Sequence, residues 1–166
     1  MEKKLWKQGD LILSLSDNQN QQLRDEIHQQ IKAFNDAISE PHRQARKEGN
    51  VRPLHILLRD NEGNLAGGLI ADTYWNWLDV DDFWLDERVR GMGIGRIMLQ
   101  AAEQEAIARG CRFAKLETFS FQARGFYEKC GYHVVGQLDD YPLGQSFYWL
   151  RKELSLSERF TAHPRI

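Results

Sequence analysis

The segment Arg90-Gly91-Met92-Gly93-Ile94-Gly95-Arg96 constrains this chain more than any other. It follows an apolar and aromatic run, Asp82-Phe83-Trp84-Leu85, and opens a segment of helical pattern, Ile97 to Arg109. Glycine at every second position lets the backbone come close to a partner, with N–H groups uncovered by side chains. The first turn of the helix adds its own unpaired N–H groups and the positive end of its dipole. A strand, a bare loop and a helix N-terminus predict an anion site, usually for phosphate. Spacing narrows the ligand. A dinucleotide fingerprint read from Gly91 needs a glycine at 96, where Arg96 stands. A nucleotide-binding P-loop needs a Gly-Lys pair, and the chain has none. What remains is Arg90-x-x-Gly93-x-Gly95.

Composition sets the frame for that site. A chain of 166 residues suits one domain with a real core, so residues 1–166 are expected to form one. Its 42% hydrophobic and 28% charged content is that of an ordinary globular protein. A formal net charge of −2 lacks the basic surplus of a general nucleic-acid binder. No apolar run approaches the roughly 20 residues of a membrane span. The start, Met1 to Lys7, turns polar at once without a signal-peptide core, so a cytoplasmic protein with reduced thiols is expected. Two cysteines are too few for a disulfide scaffold or a metal cluster, and the five histidines show no ligand spacing, so no metal is expected.

In chain order, Leu11 to Ser16 reads as a first strand. Asp17 or Ser16 can cap the next helix, where Leu23, Ile27, Ile31, Phe34 and Ile38 form one apolar stripe that Glu40-Pro41 ends. His42 to Asn50 reads as a charged loop. Leu54 to Leu58, a turn at Asp60 to Asn64, and Leu65 to Trp75 predict a hairpin, with Gly67-Gly68 marking a bulge or a close approach. Trp77 to Leu85 predicts the strand leading into the glycine loop. After the helix, stopped at Gly110, Phe113 to Phe119 must run parallel to that strand, since a helix joins the two. A short helix from Ala123 to Cys130 ends at Gly131, and Tyr132 to Gln137 and Ser146 to Lys152 close the sheet. The tail from Ser155 to Ile166 is polar. The fold class is α/β of the α+β type, a mixed central sheet of about seven strands flanked by helices in the order β-α-β-β-β-α-β-α-β-β.

Two motifs in that order carry a resemblance. Arg90-x-x-Gly93-x-Gly95 is similar to the pyrophosphate loop of the GCN5-related N-acetyltransferase (GNAT) family. Ala123-Arg124-Gly125-Phe126-Tyr127-Glu128-Lys129-Cys130-Gly131-Tyr132 resembles that family's A-x-x-F-Y-E-K-x-G-F/Y stretch. The resemblance covers Leu54 to Leu154, and the strand and helix before it also fit. It implies a GNAT-like domain that uses acetyl-CoA as acyl donor and transfers the acetyl group directly to a primary amine. The pantetheine arm would lie between two splayed parallel strands, here Phe83-Trp84-Leu85 and Leu116 to Phe119. Main-chain groups of Trp84, Leu85 and Asp86 would bind it. The N–H groups of Gly91, Met92, Gly93, Ile94, Gly95 and Arg96 would hold the pyrophosphate, with added charge from Arg90 and Arg96. Tyr127 matches the family's general acid. Ser120 stands where the family often has an asparagine, and its hydroxyl would replace that coenzyme contact.

An amine with a pKa of about 10.4 is neutral in only roughly one molecule in 2,500 at pH 7, so a base is needed. Asp79 and Asp81 sit two apart on the strand before the loop and so project from one face, with Asp82 on the other. Asp79 falls where family members with a glutamate base carry it, and Asp81 lies nearer the reacting carbonyl. Glu117, on the facing strand, is a third candidate. Trp75, Trp77, Trp84, Phe119, Phe121 and Tyr141, with Asp79, Asp81, Asp139 and Asp140, suit a small cationic amine as substrate. A peptide or protein amine is the alternative acceptor, and a non-catalytic acyl-CoA-binding module the alternative role. The family also admits homodimers. Nothing points to nucleic acid or a membrane as partner.

Overall fold

The computed structural model describes residues 3–45, 47 and 49–155. Residues 156–166 of the polar tail, and Arg46 and Glu48 of the expected charged loop, lie outside the described residues. The chain divides into two compact units, Met1–Arg43 and Gln44–Ile166.

The first unit opens with a hairpin of β1 (Lys3–Gln8) and β2 (Leu11–Leu15), joined at Gly9-Asp10 with Gly9 at φ 56°. Only β2 was expected. Helix α1 (Gln21–Ile38) follows the stripe read from the sequence, but its cap is Asn20, whose side chain accepts the Leu23 N–H at 3.0 Å, rather than Ser16 or Asp17. A cap must stand within hydrogen-bond reach of the second or third helical N–H, which Asn20 does. A short helix, α2 (Glu40–Ala45), takes up part of the expected charged loop. Pro41 sits in its first turn, where a missing N–H breaks no helical bond.

The second unit is built on a six-stranded sheet: β3 (Arg52–Arg59), β4 (Leu65–Tyr74), β5 (Trp77–Leu85), β6 (Phe113–Phe119), β7 (His133–Asp139) and β8 (Ser146–Glu153) in the spatial order β3-β4-β5-β6-β8-β7. The expected count of about seven is corrected to six, because Leu11–Leu15 pairs with Lys3–Gln8 in a separate two-stranded sheet. Helix α3 (Ile94–Ala108) links β5 to β6, and α4 (Arg124–Lys129) links β6 to β7. All pairings in the large sheet are antiparallel except β5 with β6, as a helical crossover demands.

One face of this sheet meets α3. Small residues on that helix, Gly95, Ala102 and Ala106, are buried and let its axis approach β3, β4 and β5. Leu69, Leu78, Leu99 and Leu150 are the largest fully enclosed side chains, each contributing about 1.5–3 kcal/mol by leaving water. Gly67 is needed for close approach: a Cβ there would come within 2.5 Å of Leu85 Cδ2 and 3.2 Å of the Trp84 carbonyl oxygen. The strand that carries the glycine loop is thus drawn tight against β4.

Candidate active site

Two irregularities in β5 create the site. The parallel pairing of β5 with β6 runs from Trp77↔Phe113 to Val80↔Leu116, after which the two strands separate. At the same place β5 carries a bulge against β4, since Ile70 pairs with Asp82 and Ala71 with Val80, leaving Asp81 as the extra residue. Burial alternates through Leu78 and Val80, breaks at exposed Asp81 and Asp82, and resumes out of phase at Phe83 and Leu85. The simple alternation expected from the sequence therefore fails at Asp81, and Asp81 and Asp82 are both exposed. The splay opens a cleft of about 820 Å³.

The glycine loop forms one end of this cleft. Gly91 and Gly93 have φ of 75° and 80°, the left-handed region that side chains disfavour. Gly93 is the N-cap of α3, and the first intrahelical bond runs from the Ile97 N–H to the Gly93 carbonyl. The N–H groups of Ile94, Gly95 and Arg96 precede that bond and have no helical acceptor. Gly95 is present for packing, because a Cβ would meet Leu85 at 3.2 Å and the Phe126 ring at 3.4 Å. Arg90 fastens the loop rather than projecting from it: its Nε–H donates to the Leu85 carbonyl at 2.9 Å. Arg96 reaches the Lys129 carbonyl at 3.4 Å, tying α3 to α4.

Main-chain polarity on β5 is set by its bond to β4. The Asp86 N–H donates to the Ala66 carbonyl at 3.0 Å, on the β4 side. Alternation along the strand then turns the main-chain groups of Trp84 towards β4 and those of Leu85 and Phe83 towards the open side. Of the three residues expected to offer main-chain bonds, Leu85 keeps its N–H on the open side, its carbonyl accepting from Arg90, while Trp84 and Asp86 have theirs committed. The Asp86 carboxylate holds Arg88 at 3.0 Å.

The carboxylates differ in environment. Asp79 accepts from the Tyr74 hydroxyl at 2.6 Å and pairs with Lys115 Nζ at 2.6 Å. Burial, then this hydrogen bond, pushes the Tyr74 phenol well above its ordinary range. Asp81 lines the cleft, and its pKa is raised, first by burial and then by the charges of Asp79 and Asp72. Tyr127 also lines the cleft and is buried, which pushes its phenol up to about 12. Edge contacts from Phe126 and Tyr132, at 5.2 and 6.0 Å between ring centres, fix its ring.

Asp81, Trp84, Leu85, Arg90, Gly91, Gly93, Gly95, Arg96 and Tyr127 thus share one cleft. Met92 and Ile94 do not line it with the others, and Met92 points to solvent. Ser120 is engaged elsewhere: its hydroxyl meets Gln145 Oε1 at 2.6 Å and accepts the Ser146 N–H at 3.0 Å, binding the β7–β8 loop. Asp139 accepts from Gln137 and Ser146, and Asp140 accepts the Gly144 N–H, so both expected acidic contacts shape their own loop. Trp75 packs on Tyr74 and Trp77 on Phe113, apart from the stacked Phe119, Phe121 and Tyr141. Sequence reading missed Lys115, which the parallel register opposite Asp79 would have indicated, and Phe126, whose signal was the small Gly95 it packs against. Burial raises the pKa of both Cys111 and Cys130, as for packed thiols. Among the described residues, no cluster of three or more His, Cys, Asp or Glu side chains is arranged to hold a metal, and no helix is long and apolar enough to cross a membrane.

The chain is 40% identical over 107 residues to a blasticidin-S acetyltransferase from Streptomyces morookaense, covering 62% of this chain and 79% of that protein. It is 37% identical over 105 residues to an acetyltransferase from Agrobacterium fabrum, covering 63% and 77%. An acetyltransferase structure from Bacillus cereus superimposes with a TM-score of 0.73 at 30% identity, over 84% of this chain and 97% of that one. The family model described as the acetyltransferase (GNAT) family matches residues 20–132, so the chain belongs to that family and is an acetyl-transferring enzyme.

Proposed function

We propose that the protein transfers the acetyl group of acetyl-CoA directly to a primary amine of a small, cationic molecule. The observation that carries this reading is the convergence, in one cleft opened by the splay of β5 from β6, of a bare anion-binding loop, a carboxylate and a buried phenol. The residues present fit the coenzyme. Gly91 and Gly93 hold the loop in a conformation that leaves N–H groups uncovered, and Leu85 and Phe83 turn main-chain groups to the open side of β5. Acetyl-CoA, when bound, supplies the thioester whose acyl group is passed on.

In the loop from Gly91 to Arg96, the N–H groups of Gly91, Gly93, Gly95 and Arg96, the residues that line the cleft, bind the pyrophosphate. Asp81 takes the proton that the acceptor ammonium must lose, directly or through water, and its raised pKa suits it to that task. Asp79, already holding Tyr74 and Lys115, instead raises the proton affinity of Asp81. Tyr127 donates a hydrogen bond to the departing thiolate. The charges of Asp72 and Asp79 both act on Asp81, while Lys115 pairs with Asp79, and this excess of carboxylates supports a cationic acceptor. The likeness to a blasticidin-S acetyltransferase makes blasticidin S the first acceptor to assay.

The test is the melting temperature measured with acetyl-CoA, CoA, NAD and ATP in turn. A ligand at 100 times its dissociation constant stabilises by about 2.7 kcal/mol, a rise of several degrees. A rise with the two CoA species alone is expected. No CoA effect, or a larger one with NAD or ATP, would sink the assignment of the loop.

A further inference from the structure

Where β5 and β6 part, the next residues on the two strands are Asp81 and Glu117, so two carboxylates stand at the mouth of the splay. Glu117 shares its face of β6 with Lys115, two residues earlier, and Lys115 bonds Asp79 across the strands. Asp81, which feels Asp79, Asp72 and Lys115, belongs to the same acidic surface. The proton-accepting task needs one carboxylate, and Asp81 has the environment for it. Glu117 is then left in the cleft without a part in proton transfer.

Its geometry suggests a part of its own. Trp149, its register partner on β8, donates its indole N–H to Glu117 Oε1 at 3.0 Å. A carboxylate has about four acceptor positions, and this bond uses one while fixing the side chain's direction. Trp149 is itself fixed. A Cβ on Gly136 would come within 2.9 Å of its ring, and Phe147 packs edge-on at 5.0 Å. From Phe147 an aromatic wall continues through Phe119, at 4.9 Å, to Phe121, which stacks at 5.1 Å and lines the cleft. An oriented carboxylate beside aromatic faces is a site for an organic cation.

Resting on the acetyltransferase reading, we infer that Glu117, oriented by Trp149, selects acceptors that carry a second positive charge close to the reacting amine. Asp81 serves the amine that is acetylated, and Glu117 holds the charge that stays. Glu117 is thereby a specificity-determining residue and Trp149 its positioning residue.

The experiment compares cadaverine, a five-carbon diamine, with n-pentylamine, the same chain with one amine, by calorimetric titration into the CoA-loaded protein, which has no acetyl group to transfer. Cadaverine should bind at least about tenfold more tightly, the scale of one hydrogen-bonded charge pair. Glu117→Gln should erase that difference while keeping the melting-temperature rise with acetyl-CoA. Trp149→Phe should reduce the preference about threefold, since the carboxylate remains but loses its fixed direction. Equal affinities in the wild type, no measurable cadaverine binding, or a preference that survives in Glu117→Gln would overturn the inference. A preference unchanged in Trp149→Phe would remove Trp149 from it. Failure of the acetyl-CoA rise in the wild type would instead overturn the acetyltransferase reading itself, so the two failures are distinguishable.

Discussion

At Asp79 a phenol and an ammonium both lie 2.6 Å from the carboxylate, whereas Asp81 two residues later faces Asp79 and Asp72. If Asp81 is the base, it works ionised, and its raised pKa moves the acidic limb of the pH–rate profile above the usual carboxylate value of about 4. Rate should climb with pH through that limb. Asp81→Asn should lower turnover about a hundredfold. Asp79→Asn should leave a working base but shift the limb to lower pH, because one of the charges raising Asp81 is gone. A limb unmoved by Asp79→Asn would contradict this coupling. Tyr127 stays protonated well past neutrality, with its phenol near 12. Complete proton transfer to a thiolate of pKa about 8.5 would be uphill by roughly 5 kcal/mol, so the phenol acts by hydrogen bonding. Tyr127→Phe should therefore lower turnover at least about tenfold with acetyl-CoA affinity nearly unchanged. Equal turnover of the variant and wild type from pH 6 to 9 would exclude the residue.

Among the elements, the loop entering α3 owes its form to glycines used in two ways. Gly91 and Gly93 supply positive φ, and Gly95 supplies contact with Leu85 and Phe126. Gly93→Glu should abolish coenzyme binding, since it strains the N-cap and puts an anion where an anion should bind. Retained affinity in a titration of that variant would refute the phosphate site. This loop and α3 were legible in the sequence because glycine spacing and helical periodicity state backbone demands directly. The bulge at Asp81 was not. A bulge is a mismatch between two strands, and Asp79, Asp81 and Asp82 read alike whichever of them is the extra residue. The same holds for the main-chain groups of Trp84 and Asp86, whose direction depends on registry with β4. Ser120 was misplaced for another reason: its partners, Gln145 and Ser146, are distant in sequence.

Across the whole molecule, one ionic contact fastens α3 to β8. Lys152 Nζ lies 2.8 Å from Glu103 Oε2, with the side chains only 7% and 4% exposed. Lys152→Met would take this ammonium away from a buried carboxylate, and breaking a buried pair costs about 3–5 kcal/mol. The melting temperature should fall by roughly 10 °C or more. Lys152→Met with Glu103→Leu should recover most of the loss, and a single variant that melts like the wild type would deny the contact any stabilising role. The order of elements from Arg52 to Glu153 was legible from alternation, glycine punctuation and the strand-helix-strand rule. The N-terminal hairpin was not, because Lys3, Lys4 and Lys7 hide the alternation of β1. The available signal was Gly9-Asp10, two turn-forming residues before an apolar run.

The separation of β5 from β6 also has a mechanical meaning. The large sheet is two panels of three strands, β3-β4-β5 and β6-β8-β7, joined by a seam of four residue pairs. Helix α3 rests chiefly on the first panel. A molecule lodged beyond the end of the seam touches both panels and acts as a shim between them. The stiffness of the sheet is then a property of its occupant, and amide exchange along Phe83 to Leu85 and Glu117 to Phe119 would record when the gap is filled.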